Sequence, residues 1–253
     1  MAGRLEGRVA IITGAAMGIG WTLAQAYAAE GAAVTIADRE GAGEAAETLN
    51  SAGHRALAVD ADVTDEQDTE RMVAETVEEF GGLDVLVNNA GIYSSLDPGP
   101  FEEIDVDTWR LVFDVNVLGT FLCCRAAVGA MRTRGGGRII NLASGTPFKG
   151  VPFLLHYTSS KGAVVALTRA LAKELGGDDI LVNAIAPGFT ISDGVRANPV
   201  QLEKLQDISR SARTLQRDQY PEDIVGAAIF FASGDSSFVT GQSLLVDGGA
   251  YFN

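Results

Sequence analysis

Short, continuously apolar runs alternate with longer segments of helical period along almost the whole chain, and no other feature constrains the fold as tightly. Val9–Thr13, Ala33–Ala37, Ala56–Val59 and Val85–Asn88 read as four buried strands. Arg138–Leu142, Ile180–Ile185 and Ser243–Val246 read as three more. Between them, Ile19–Glu30, Gly41–Ala52, Asp65–Phe80, Thr108–Arg132, Tyr157–Leu175 and Pro221–Ala232 read as helices. Strands without a polar face need cover on both sides, and intervening helices supply it, so the pattern is that of a parallel sheet. The expectation is a single α/β domain: a doubly wound, seven-stranded parallel sheet with helices on both faces. A length of 253 residues suits one such domain, and no linker, repeat or low-complexity tract divides it.

One stretch breaks the alternation. Phe189–Tyr220 follows the sixth strand, is polar and charged, and holds a helix-like piece, Pro199–Leu215. It lies beyond a strand's carboxyl end, where such sheets bind ligands. It reads either as a lid over a substrate or as a solvated helical excursion.

Charge narrows the partners. The chain carries 33 Asp plus Glu against 19 Lys plus Arg, a net charge of −14. Nucleic acid and anionic membrane surfaces both require a basic patch, so neither is expected as a partner. No apolar run approaches membrane-spanning length. Arg4, Glu6 and Arg8 interrupt any secretory apolar region after Met1. The two cysteines, Cys123 and Cys124, are adjacent on a helix and point about 100° apart, poorly placed to bridge. His54 and His156 are far apart in sequence, and no Cys/His spacing suggests a metal site. A reducing cytoplasm is the expected location.

The first strand runs into Thr13-Gly14-Ala15-Ala16-Met17-Gly18-Ile19-Gly20. Glycines let the backbone turn tightly and approach a pyrophosphate, and a helix starting near Gly18 aims its free amides at those phosphates. The spacing is Gly-x3-Gly-x-Gly, and its place between strand and helix favours phosphate binding over simple packing. This makes the expected sheet a Rossmann-type one. Asp38 closes the second strand, where a carboxylate can hydrogen-bond both ribose hydroxyls of an adenosine and repel a 2′-phosphate. NAD is therefore expected over NADP; Met17 offers a 2′-phosphate no charge, and Arg39 is the one nearby cation that could rescue it. Asp62-Val63 follows the third strand and could border the adenine. Asn88-Asn89-Ala90-Gly91 ends the fourth, where small residues let a cofactor lie close.

Tyr157 and Lys161 stand four residues apart in His156-Tyr157-Thr158-Ser159-Ser160-Lys161, on one face of a helix. A phenol has a pKa of about 10, and a fixed ammonium beside it favours the phenolate and lowers that value. Such a group can pass a proton to or from an alcohol. Ser144 could supply a hydroxyl to the same substrate oxygen.

Taken in order, Thr13-Gly14-x-x-x-Gly18-Ile19-Gly20, Asp62-Val63, Asn88-Asn89-Ala90-Gly91, Asn116, Ser144, Tyr157-x-x-x-Lys161, Pro187-Gly188 and Asp247-Gly248-Gly249 resemble the short-chain dehydrogenase/reductase family over nearly the whole chain. The resemblance implies that Tyr157 is the general acid/base, and that Lys161 lowers its pKa and bonds the nicotinamide ribose. It also implies that Ser144 holds the substrate oxygen, and that Asn116, inside the Thr108–Arg132 helix, holds a water relaying protons from Lys161. The family commonly has a branched apolar residue third after the Pro187 position and a threonine fifth; here Thr190 and Ser192 stand there. The Thr190 backbone and the Ser192 hydroxyl would replace them at the carboxamide.

The implied substrate is a secondary alcohol or its ketone. Ser94, Ser95, Leu96, Thr146, Phe148, Val151, Phe153, Leu154 and the Phe189–Tyr220 segment are the expected pocket, mainly apolar or hydroxylic, with Lys149 the nearest charge. This favours an apolar or aromatic substrate. A 3-oxoacyl thioester reductase acting on an acyl carrier protein is the alternative, disfavoured by Asp38, Met17 and the negative charge. A non-catalytic nucleotide-binding scaffold is a third reading, which the presence of Ser144, Tyr157 and Lys161 opposes. Relatives are typically tetramers built on the Thr108–Arg132 and Tyr157–Leu175 helices and the last strand. Ala163, Ala166, Ala170 and Ala172 would permit close helix approach, and the aromatic tail Gly248–Asn253 could pack at a subunit contact.

Overall fold

A computed structural model describes residues 3–252; Asn253, the last residue of the expected tail contact, lies outside them. The strands are β1 (Val9–Thr13), β2 (Ala33–Asp38), β3 (Ala56–Asp60), β4 (Val85–Asn88), β5 (Gly137–Leu142), β6 (Ile180–Pro187) and β7 (Ser243–Val246). They form one parallel sheet in the order β3-β2-β1-β4-β5-β6-β7. Ile11 pairs with Thr35 on one side and Leu86 on the other, so β1 is an inner strand, next to the central β4. The chain winds outward from β1 to β3, then crosses back to β4. The carboxyl ends of β1 and β4 thus frame the crevice where the winding reverses.

Both faces are covered. On one, α1 (Gly18–Ala29), α2 (Ala42–Ser51) and α10 (Glu222–Ala232) bury Leu23, Ile36, Leu49 and Ile224. Tyr27, wholly buried, ties α1 to α10 by donating its hydroxyl to Ala228 O at 2.9 Å. On the other face, α3 (Glu66–Phe80) and α5 (Thr120–Arg134) bury Met72, Leu86, Met131 and Ile139, together with α7 (Leu155–Leu175). Asp65 caps α3 by accepting from the Gln67 and Asp68 amides, which fixes the helix where the sequence placed it.

Four expectations change. The Thr108–Arg132 helix starts earlier, with α4 (Val106–Phe113) capped by Asp105, and breaks into a wide π turn, Asp114–Gly119, before α5. Measured as one stretch, Val106–Arg134 is long and apolar enough to cross a membrane, its most apolar 18 residues having a mean hydropathy of 1.7, contrary to the expectation that no run approaches that length. Part of that stretch is buried against α3, β4 and β5. α7 starts at Leu155, so Tyr157 falls inside its first turn rather than at its end. The helix-like piece in 189–220 resolves into α8 (Asp193–Arg196) and α9 (Pro199–Ser211), preceded in chain order by the short α6 (Thr146–Lys149) after β5.

Candidate active site

The crevice at the carboxyl ends of the strands is a cleft of about 570 Å³. At one end the β1–α1 loop forms its floor. Gly14 and Gly18 both have positive φ, 63° and 60°, and a Cβ on Gly14 would come within 2.8 Å of Ala90 Cα. Only glycine fits there, and the loop lies close against β4 as a result. Asn89 fastens the two together, its Nδ2 donating to Thr13 O and Gly14 O at 2.9 and 2.8 Å. Gly14, Met17, Gly18, Ile19, Asp38, Asp62, Val63, Asn89, Ala90 and Gly91 all line the cleft.

Gly20 does not. A Cβ there would strike Gly14 O at 2.2 Å and Asn89 Nδ2 at 2.4 Å. Its expected place beside a cofactor is therefore corrected: it is the glycine that lets α1 pack under the loop.

Asp38 ends β2 at the rim. Its Oδ2 accepts the Ala16 amide at 3.0 Å and its Oδ1 the Arg39 amide at 2.8 Å. These bonds orient the carboxylate. Arg39 points instead toward Asp62 Oδ2, 4.0 Å away, while Asp62 Oδ1 accepts both the amide and hydroxyl of Thr64.

At the other end α7 and the β5–α6 loop bring Tyr157, Lys161 and Ser144 together, all three buried. Burial pushes the Tyr157 phenol up to about 12, with the Ser144 hydroxyl pulling the other way. Burial also lowers the Lys161 ammonium to about 8. Lys161 Nζ lies 5.9 Å from the Tyr157 ring centroid and donates to Leu142 O at 2.7 Å. The expected lowering of the phenol's pKa by the ammonium is thus not what the geometry gives. The dry site penalises both charged forms, and that penalty is the larger effect.

Asn116 is wholly buried behind the cleft and does not line it. Its Oδ1 accepts the Ile92 amide at 2.8 Å, and its Nδ2 donates to Ile92 O and Ser160 Oγ at 3.2 and 3.0 Å. These bonds tie the side chain to the loop after β4 and to α7. A Cβ on Gly91 would meet Asn116 Oδ1 at 3.0 Å and Lys161 Nζ at 3.4 Å. The π turn, Gly91 and Lys161 are therefore packed as one unit.

Pro187, Gly188, Thr190 and Ser192 line the same end. The Ser192 hydroxyl caps α8 by accepting the Val195 amide at 3.5 Å, and Thr190 Oγ1 donates to Gly188 O at 3.1 Å. Among the expected pocket residues, Ser94, Thr146, Val151 and Leu154 line the cleft, with Lys149 beside them, its ammonium 3.0 Å from Asp247 Oδ2. Ser95, Leu96, Phe148 and Phe153 do not line it. Leu96 packs in a small core with Val112 and Leu154, Phe148 packs beside Tyr251, and Phe153 is 60% exposed beside a separate surface groove.

The sequence reading missed Tyr93, whose ring centroid lies 4.7 Å from that of Tyr157; Leu205, Ile208 and Arg213 of the expected 189–220 segment line the cleft as well. Tyr93 follows directly on Asn-Asn-Ala-Gly, a proximity that could have flagged it. Among the described residues no group of three or more His, Cys, Asp or Glu could hold a metal ion.

A dinucleotide fits this arrangement. α1 has no side-chain cap, two positive-φ glycines open its amino end, and the cleft runs from there past Asp38 in one direction and to Tyr157 in the other. Residues 14–251 match the family model described as Enoyl-(Acyl carrier protein) reductase. The chain is 41% identical over 247 residues to cis-4-hydroxycyclohexanecarboxylate dehydrogenase of Sinomonas cyclohexanicum, covering 96% of each chain. It is 40% identical over 261 residues to galactitol 2-dehydrogenase of Agrobacterium fabrum, covering 99% of this chain and 100% of that one. A solved structure of 3-ketoacyl-(acyl-carrier-protein) reductase from Brucella melitensis, complexed with NADH, superposes with a TM-score of 0.89 at 35% identity, covering 98% of this chain and all of that one. With its glycine loop, Ser144, Tyr157 and Lys161 gathered along one cleft, and with these relatives matching end to end, the chain belongs to the short-chain dehydrogenase/reductase family.

Proposed function

We propose that the chain is an NAD(H)-dependent oxidoreductase that interconverts a secondary alcohol and its ketone. The observation that carries this reading is the convergence of Ser144, Tyr157 and Lys161 at one end of a cleft whose other end is the glycine loop and Asp38. A nicotinamide bound there supplies hydride exchange with the substrate carbon. The chain handles the proton. Tyr157 gives its phenolic proton to a ketone oxygen, or as phenolate takes it from an alcohol, while Ser144 donates a hydrogen bond to the same oxygen. Lys161, whose Nζ donates to Leu142 O, faces the same end of the cleft and bonds the nicotinamide ribose, while the Ser144 hydroxyl is the group that eases the phenolate. Asn116 holds Ile92 and the start of α7 in place around it.

Gly14, Met17, Gly18, Ile19, Asn89, Ala90 and Gly91 form the dinucleotide wall, and Asp62 and Val63 border the adenine. Pro187, Gly188, Thr190 and Ser192 clamp the nicotinamide end. Asp38, oriented by two backbone amides, reads the ribose hydroxyls and repels a 2′-phosphate, which supports NAD over NADP. Val151, Leu154, Phe189, Leu205 and Ile208 give the substrate end an apolar lining, which supports an apolar or aromatic substrate. The segment 189–220 acts as its lid. It is held down by Asn198 Nδ2 on Ser94 O at 2.8 Å and Gln201 Nε2 on Tyr93 O and Leu96 O at 2.8 and 2.7 Å. Two buried free cysteines suit a reducing cytoplasm.

The alternative, a 3-oxoacyl thioester reductase, draws support from the family model's description and from the Brucella neighbour. Asp38 and the net charge of −14 weigh against an NADPH enzyme that engages an acidic carrier. The separating experiment compares kcat/KM for NADH and NADPH across a panel of aryl, alkyl and polyhydroxy ketones and a 3-oxoacyl thioester, in the wild type and in Asp38→Ala. The expected result is NADH preference with simple apolar ketones, lost by at least about tenfold in the variant, as removal of one charge repulsion gives. An unchanged cofactor ratio contradicts the role of Asp38, and best turnover of the thioester favours the alternative.

A further inference from the structure

The segment between β6 and α10 reaches back across the cleft and touches the glycine loop through a charged atom. Oδ2 of Asp193, the first residue of α8, accepts a hydrogen bond from the Gly18 amide at 3.2 Å. Gly18 is the first residue of α1, and Met17 before it offers no side-chain cap. That amide belongs to the end of the helix where free N–H groups and the dipole favour negative charge. Ser192 stands against the same glycine, 3.6 Å from a Cβ placed on it. The ties of Asn198 and Gln201 to the opposite wall are neutral and lie away from this loop. The Asp193 contact differs from them: it sets a full negative charge on the phosphate end of the cleft, and the reaction proposed above does not use it.

Asp193 also has somewhere else to go. Its Oδ1 lies 3.3 Å from Arg196 Nη1, and both side chains are more than half exposed, so the carboxylate can turn fully toward the guanidinium without being buried. A short rotation would free the Gly18 amide.

We infer that Asp193 occupies the pyrophosphate's place at the amino end of α1 and competes with the dinucleotide for it, setting how tightly the cofactor binds and how readily it leaves. The inference rests on the dinucleotide reading above. A pyrophosphate and a carboxylate cannot share one amide, because like charges at contact distance repel even where solvent screens them. Binding therefore includes turning Asp193 away to Arg196, and the returning carboxylate assists release. Beside the Thr190 and Ser192 clamp at the nicotinamide end, this contact couples the lid segment to the phosphate end of the cofactor, independently of the substrate.

The test is calorimetric titration of wild type and Asp193→Asn with NADH and, separately, with adenosine, which lacks the pyrophosphate. Asparagine keeps the size and one acceptor oxygen, removes the charge and exchanges the second oxygen for an NH2 donor. The expected result is an NADH Kd about tenfold lower in the variant, the order of one unit repulsion near a protein surface, with the adenosine Kd unchanged. An NADH Kd equal to or above that of the wild type overturns the inference, and so does equal tightening of adenosine. Wild type that binds NADH while the variant shows no gain overturns this inference alone. Failure of the wild type to bind NADH, NADPH and adenosine overturns the dinucleotide reading and this inference with it.

Discussion

Tyr157 and Lys161 show what a sequence can and cannot say about a single residue. Their types and spacing are visible in the chain, and one helix face follows from the spacing. Their protonation is not visible, because it depends on how much protein closes over them. Burial holds Tyr157 up to about 12 and Lys161 down to about 8, so the site is drier than the spacing alone suggests. Gly20 and Asn116 make a related point: a motif shows that a residue is needed, not whether it faces the cleft or the packing behind it, where both of these sit. The depressed Lys161 makes a stability prediction. Between about pH 8 and the ordinary lysine value of 10.5 the unfolded chain holds a proton that the folded chain has released. Stability supported by this group therefore rises with pH across that window. Urea unfolding at pH 7.5 and pH 9.5 should show Lys161→Met gaining less stability over the interval than the wild type. An equal change in both chains contradicts a buried, depressed Lys161.

At the scale of elements, the seven strands were legible because parallel strands are apolar on both faces, and β1, with every residue buried, is the plainest case. Helix ends were less so. The Asp105 cap that starts α4 was available in the sequence as an acid three residues before Thr108. The π turn at Asp114–Gly119 was not, since its residues keep a helical pattern of apolar positions. The turn exists because Asn116 must face inward to bond Ile92 and Ser160, while Gly119 must admit Val63, whose Cγ2 would lie 2.7 Å from a Cβ there. Both demands come from other elements. The lid likewise read as polar and exposed, yet Gln201 is wholly buried and holds two carbonyls. Removing the centre of the π turn tests its importance. Asn116→Ala leaves the part-buried Ile92 amide without its acceptor and removes one of the two bonds of the Ser160 hydroxyl, which still donates to Tyr157 O, at a cost of about 1–3 kcal/mol for the unpaired group. Thermal unfolding should show a Tm several degrees lower, with the loss larger than for the exposed Asn50→Ala. Equal, small shifts in both variants would contradict the assignment.

For the whole molecule, the doubly wound sheet places the carboxyl ends of β1 and β4 where the winding reverses, and this topology brings residues from Gly14 to Ser192 to one cleft. The order of motifs made that legible before any geometry. Among the exposed apolar side chains of the described residues, Val106, Leu111, Leu118 and Phe121 lie along α4, the π turn and α5. This row explains how a helix of membrane-like hydropathy belongs to a chain of net charge −14: its free face suits a second copy of the protein. Light scattering at micromolar concentration should give a tetramer's mass, and a monomer's mass contradicts that assembly. The claim on which everything else depends is that one molecule joins a hydride-bearing cofactor to a proton-handling phenol. Turnover of the best ketone with NADH, measured beside NADH binding in wild type and Tyr157→Phe, tests it most directly. The account predicts that the variant binds NADH as the wild type does and loses turnover by at least about 100-fold, the lower range of a positioned acid/base's contribution; a variant that keeps most of its turnover would contradict it.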